Sequence, residues 1–328
     1  MIKNLFLALV GAASICAADT NLTGAGASFP APVYAQWTSI YSKVTPNTTV
    51  TYQSVGSGSG KKQIKAATVD FAGSDSPIML DDQKKDGLEL YPMLTGGVVV
   101  IANIPGVKDG QLKLSQTVLA DIYLGKITNW SDKAIAACNA GLKLPNLPIT
   151  VVRRSDASGT SEIFTNYLCK VSPQWKKEVG SNTNPNWPVG QGGQKNPGVC
   201  NLVKGISGAI GYTEYTFAVT TGIPCAQLEN ASGKYLKPSV PTFAASAGSA
   251  DWANAKGWVM ELTNVKGDNA WPITAVTYIV LRKDTPAAKR AELKKYFMWC
   301  YTTGAKVAEK LHYIPLPKNV VDQIAPKL

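Results

Sequence analysis

The chain has 328 residues, 45% hydrophobic and 17% charged, a composition of globular proteins rather than disordered ones. Its formal net charge of +11 comes from basic residues scattered among acids, with no block of like charge. That pattern argues against a nucleic-acid surface and fits a general attraction for small anions.

In chain order, residues 1–18 read as a secretory signal: Lys3 is the positive start, and Leu5 to Ser14 is an apolar run too short to cross a bilayer. Cys16-Ala17-Ala18 offers small residues for cleavage and leaves Asp19 at the mature N-terminus. Cys16 as a lipidated cysteine is the alternative, disfavoured by Ile15 just before it, so the chain reads as a soluble periplasmic protein. The length left after cleavage, about 310 residues, is enough for two domains, and no later stretch reads as a transmembrane helix.

Three segments share one design. Gly24-Ala25-Gly26-Ala27-Ser28-Phe29 precedes Pro30-Ala31-Pro32, so Ser28 and Phe29 sit where a helix begins, with Val33 to Tyr41 continuing it. The strand-like Val50 to Val55 enters Gly56-Ser57-Gly58-Ser59-Gly60 and then the helical Lys61 to Ile64. This is not a Walker A loop, because Val55 stands where the first glycine belongs and Lys62 where Ser or Thr belongs. Ile149 to Val152 reads as a strand running into Arg153-Arg154-Ser155-Asp156-Ala157-Ser158-Gly159-Thr160-Ser161 and a helix from Glu162 to Lys170. Each junction offers hydroxyls and unpaired backbone N–H groups at a helix start, which favour an anion. Arg154 adds a planar cation suited to tetrahedral oxyanions, and Asp156 is placed to orient it.

Between these, Val69 to Ala72 leads into Gly73-Ser74-Asp75-Ser76-Pro77. On spacing alone Asp75 reads first as the cap of a turn before Pro77. Beside an anion, a carboxylate makes sense if the anion carries its own proton: phosphate does near neutral pH, and sulfate does not. Asp75 would accept that proton from phosphate and meet only lone pairs on sulfate. Further apolar runs, Val98 to Ala102 and Ile279 to Leu281, read as buried strands, and Ala287 to Cys300 as a helix. The alternation predicts α/β domains with largely parallel sheets and ligands at strand ends.

Catalysis lacks its parts. Ser57 or Ser158 as a nucleophile has no general base, since the lone histidine, His312, lies near the C-terminus. No G-x-S-x-G elbow occurs, and Cys138, Cys169, Cys200, Cys225 and Cys300 show no metal-ligand spacing. Of the six cysteines, these five remain after cleavage before Asp19, an odd count that leaves at least one thiol free, and sequence leaves any pairing open.

Nearly the whole mature chain resembles the PstS family, the periplasmic phosphate-binding proteins of ABC phosphate transporters. The resemblance rests on Leu22-Thr23-Gly24-Ala25-Gly26-Ala27-Ser28-Phe29-Pro30, Thr68-Val69-Asp70-Phe71 with Ser74-Asp75, and Asp121-Ile122-Tyr123-Leu124-Gly125-Lys126-Ile127. It continues through the arginine segment, Gly208-Ala209-Ile210-Gly211-Tyr212, Ala270-Trp271-Pro272-Ile273-Thr274 and Thr303-Gly304-Ala305-Lys306. It implies that Ser28, the Phe29 backbone, Ser57, Arg154, Ser158, Gly159 and Thr160 donate to phosphate, that Asp75 accepts its proton, and that Asp156 orients Arg154. Three positions depart from the family pattern: Ser28 for the usual threonine, Gly58 for a second serine, and Ala157 for a glycine.

The resemblance further implies a type II periplasmic-binding-protein fold, α/β, with a ligand cleft and hinge between two lobes. Lobe one would hold residues 19–97 and 268–328, and lobe two residues 98–267, with crossings near Gly96-Gly97-Val98 and Asp268-Asn269-Ala270. The implied partners are inorganic phosphate, with arsenate competing, and the permease of an ABC transporter in the inner membrane. The expectation is a monomer with no cofactor, no metal and no enzyme activity. A relative that scavenges phosphate without a transporter is the alternative.

Overall fold

The computed structural model describes residues 20–328, so the expected signal segment, its cleavage point and Cys16 lie outside the described residues. The strands are Thr20–Gly26 (β1), Thr48–Ser54 (β2), Phe71–Ser74 (β3), Leu88–Asn103 (β4), Lys113–Leu114 (β5), Thr150–Arg154 (β6), Gln191–Gly193 (β7), Ala209–Glu214 (β8), Gln227–Glu229 (β9), Tyr235–Leu236 (β10), Thr274–Arg282 (β11) and Ile314–Pro315 (β12). The main sheet runs β2-β1-β3-β11-β4-β8-β6-β7, with β12 also on β4, while β10-β9-β5 form a separate small sheet.

The flanks are parallel, as expected: β1 with β2 and β3, and β6 with β7 and β8. The centre corrects the expectation of largely parallel sheets. β11 lies antiparallel to β3 and β4, and β4 antiparallel to β8. An unbroken apolar run reads the same in either direction, and only the connections decide which way the strand points.

β4 is the longest strand, 16 residues, and changes partner along its length. Leu88 to Gly97 pairs with β11, and Val98 to Asn103 pairs with β8. At the change, Val98 N–H donates to Ile273 C=O at 2.8 Å, and the buried Trp271 indole N–H donates to Val98 C=O at 2.9 Å. The segment entering β11 is therefore bonded to β4 where β4 passes from one half of the sheet to the other. Gly96 and Gly97 are required there: a Cβ on Gly96 would lie 2.8 Å from the Phe29 ring, and one on Gly97 2.3 Å from the Phe243 ring.

Local packing explains how the helices are placed. The helix Ala31–Val44 starts on a proline and buries Val33, Tyr34, Trp37 and Tyr41 along one face. Tyr34 stacks on Tyr52 of β2 with centroids 4.2 Å apart, and the Tyr52 hydroxyl donates to Ala27 C=O at 2.8 Å, fixing the chain just before Ser28. In the helix Gly159–Val171, Phe164 stacks on Tyr212 at 4.3 Å. The Tyr212 hydroxyl lies 2.6 Å from Ser161 Oγ and accepts from Arg154 N at 3.2 Å, tying the end of β6 to the helix start. All five described cysteines are free thiols, and Cys200, Cys225 and Cys300 are buried in the core.

Candidate anion-binding site

The expected junctions converge. β3 ends at Ser74 and delivers Asp75, which is 3% exposed. The helix Ser57–Lys65 opens behind Gly56, whose φ of 90° only glycine adopts readily, and no side chain caps it. Its first residue, Ser57, accepts from Asp75 N–H and from Gly159 N–H, both at 3.2 Å. Residues far apart in sequence thus meet at one hydroxyl. Gly159 has no room for a side chain, because its Cβ would sit 2.6 Å from Ser57 Oγ and 2.7 Å from Asp75 Cβ.

Arg154 is buried at the end of β6, 1% exposed. Its Nε and Nη2 donate to the two oxygens of Asp156 at 2.8 and 2.5 Å, while Nη1 points to Thr160 Oγ1 at 3.4 Å. The fork is thereby set in one orientation with a third nitrogen left facing the site. Burial would raise the Asp156 carboxyl, but the hydrogen bonds and charge of Arg154 outweigh it and hold it below the usual carboxylate range. Ser158 caps its helix by accepting from Ser161 N–H at 3.1 Å, which leaves its own proton to donate.

Asp75 behaves in the opposite way. Burial pushes its carboxyl up to about 7, against the Thr277 hydroxyl, the Arg154 charge and the Ser57 hydroxyl, which all favour the ionised form. Near neutral pH it is poised between accepting and donating a proton.

Ser28, Phe29, Ser57, Asp75, Arg154, Ser158, Gly159 and Thr160 are all buried; Ser57, Asp75 and Gly159 meet directly, Arg154 reaches Thr160 and Asp156, and Ser28 is linked to them through Asn196 and its neighbour Lys195. It also supplies groups that sequence reading missed. Thr277 in β11 donates to Asp75 Oδ1 at 2.8 Å. Lys195 N–H donates to Asp156 Oδ1 at 2.9 Å, and the next residue, Asn196, reaches Ser28. Lys61 Nζ donates to Ser76 Oγ at 2.7 Å, and Ser76 Oγ donates to Glu162 at 2.5 Å, a chain running alongside Asp75. Apart from Ser76, which sits beside Asp75 in the same segment, each is a single polar residue outside the motifs, with a partner distant in sequence.

Two of the family departures face each other. Gly58 N–H donates to Ala157 C=O at 3.0 Å, and a Cβ on Gly58 would lie 2.4 Å from Ala157 Cβ. The methyl group on one side occupies the space that a serine on the other would need.

At the end of β8, Glu214 is fully buried, and burial pushes its carboxyl up to about 8. The Tyr313 hydroxyl donates to Phe29 C=O at 2.7 Å and lies 3.1 Å from Glu214 Oε2, so it can accept the proton of a neutral Glu214. A folded-state value above the unfolded one, about 4.3, makes this group a source of stability that is full below pH 4.3 and lost as pH rises toward 8. Glu214→Gln is therefore expected to gain stability relative to the parent from pH 5 to 8 and no further beyond it. Thermal unfolding of both proteins across pH 5 to 9 checks this; a constant difference would contradict it.

Residues 12–303 match a family model described as a PBP superfamily domain. The chain is 47% identical over 307 residues to the phosphate-binding protein PstS of Xylella fastidiosa, covering 93% of this chain and 84% of that one. It is 46% identical over 308 residues to the phosphate-binding protein PstS of Pasteurella multocida, covering 93% and 88%. Among solved structures, its fold is similar to that of a phosphate-binding protein from Stenotrophomonas maltophilia, with a TM-score of 0.71 at 22% identity, covering 94% and 93%. With its mixed α/β sheet and converging helix starts, the chain has the type II periplasmic-binding-protein fold and belongs to the PstS family within the PBP superfamily.

Proposed function

We propose that this protein binds inorganic phosphate in the periplasm and delivers it to the permease of an ABC transporter, without chemical change to the ligand. The observation that carries the reading is the buried Arg154, held bidentately by Asp156, in the same site as the buried Asp75. A cation alone would serve any oxyanion; a carboxylate beside it suits one that brings a proton. Ser28, Phe29 N–H, Ser57, Ser158, Gly159 and Thr160 complete the cage. Residues 19–97 with 268–328 form one lobe and 98–267 the other, hinged where β4 changes partner, so a ligand touching both stabilises the closed form.

Calorimetric titration of the mature protein, unfolded and refolded to remove carried-over ligand, tests this. Tight one-to-one phosphate binding, displaced by arsenate and not by sulfate, is the expected result. Equal affinity for phosphate and sulfate would replace it with a general oxyanion receptor, and no binding by refolded protein would remove it.

Closure also makes a packing prediction. Gly58→Ser should weaken phosphate binding at least tenfold, because its Cβ would lie 2.4 Å from Ala157 Cβ across the proposed lobe boundary. Adding Ala157→Gly should restore most of that loss. Titrations of the single and double variants check it; an undiminished single variant would show that these residues do not meet in the bound form.

A further inference from the structure

We propose that Asn196 is a positioning residue that fixes Ser28 as a donor to the bound anion, an inference that rests on the phosphate reading above. Asn196 is fully buried near the start of the helix Lys195–Gly205. Its Nδ2 donates to Ser28 Oγ at 3.1 Å, and its backbone N–H approaches the same oxygen at 3.4 Å. Its Oδ1 accepts from Thr213 Oγ1 at 3.2 Å and from Glu214 N–H at 3.4 Å.

The orientation of the amide follows from chemistry. A backbone N–H can only donate, so the atom facing Glu214 N is the oxygen, and the NH₂ group faces Ser28. A serine hydroxyl has two acceptor directions and one proton. Asn196 fills both acceptor directions of Ser28, and the proton must point elsewhere, toward the site. No rotation of the hydroxyl can then present a lone pair to the anion without breaking a bond to Asn196.

The same turn acts on the other side of the site. Lys195 N–H donates to the Asp156 carboxylate that orients Arg154, and Lys195 holds a left-handed φ of 60° to do so. One turn therefore sets the polarity of Ser28 and steadies the arginine clamp. Asn196 also bonds Ser28 of lobe one to Thr213 and Glu214 of lobe two, so its effect is exerted in the closed form.

The test compares parent, Ser28→Ala, Asn196→Asp and the double variant, each refolded free of ligand and titrated with inorganic phosphate near neutral pH. An aspartate keeps the bonds from Thr213 and Glu214 but turns an acceptor toward Ser28 and takes its proton. Asn196→Asp should cost about 100-fold in affinity when Ser28 is present. In the Ser28→Ala background, where no hydroxyl can be reversed, the same change should cost at least tenfold less. Equal penalties in both backgrounds would overturn the inference and leave Asn196 a structural or purely electrostatic neighbour.

Thermal unfolding of the ligand-free variants shows whether the aspartate is tolerated. Thr213→Val provides a route without added charge: it removes one of the two donors to Asn196 Oδ1 and leaves the amide held by Glu214 N–H alone, so it should cost a few-fold with Ser28 present and little in the Ser28→Ala background. Identical losses in both would overturn the inference by this route as well. A parent that binds no phosphate would sink the phosphate reading and this inference together, whereas a binding parent with additive variants would sink this inference alone.

Discussion

Arg154→Ala should weaken phosphate binding by at least about a thousandfold, the loss expected when one member of a buried, charge-assisted contact is removed. The arginine is 1% exposed, so its charge is almost wholly withdrawn from water. Its removal also takes away the only cation that Asp156 is bonded to among the described residues, leaving its carboxylate to backbone N–H groups such as that of Lys195. The truncation thus costs an attraction and adds a repulsion. Arg154→Lys should fall between, because an ammonium keeps the charge but cannot span both Asp156 oxygens and still reach toward Thr160. Calorimetry on refolded variants reads the effect, and the melting temperature without ligand separates it from misfolding. A loss below tenfold in a well-folded alanine variant would mean that Arg154 does not contact the anion.

The second large effect concerns sulfate and pH. Asp75, pushed by burial up to about 7, is a carboxylate above that pH and a neutral acid below it. Sulfate brings no proton, so it can be accepted only when Asp75 is protonated. Binding sulfate therefore takes up a proton, and by linkage its affinity should fall about tenfold per pH unit above 7 and level off below. Phosphate supplies the proton itself, so its affinity should change far less over the same range. Asp75→Asn should abolish the sulfate dependence and raise sulfate affinity about 30-fold at pH 8.5, because the amide can donate where the carboxylate cannot. Titrations with both anions from pH 5.5 to 8.5 decide it. Sulfate exclusion that is independent of pH and survives in the asparagine variant would leave Asp75 without a part in selectivity.

Much of the site was legible because its parts are local. A strand followed by glycine, a hydroxyl and a helix start is a pattern within ten or so residues of chain, and Arg154 and Asp156 are only two apart. The residues that bond to these from behind were not legible for the converse reason. Thr277 is 202 residues from Asp75, and Asn196 is 168 from Ser28, so only the folded sheet brings them together. The direction of β4 and β11 was hidden likewise, since a buried strand carries no sign of which way it runs. The helix at Ser57 begins earlier than the reading from Lys61, because glycine and serine are poor helix formers whose placement is decided by packing against β1 and β3. The exchange between Gly58 and Ala157 reads as two unrelated departures along the chain and as one contact in space.

The glycine pair in β4 has a mechanical consequence. Gly96 leaves space for the Phe29 ring, and Phe29 is also the residue whose backbone N–H is proposed to meet the anion. The ring rests on the point about which the two lobes are proposed to rotate, so its side chain and backbone report on pivot and ligand together. An anion held by the Phe29 N–H would therefore be joined to that proposed pivot through a single residue. Under the proposed reading, occupancy of the site and the angle between the lobes would change together, which is the signal a permease at the outer surface would need.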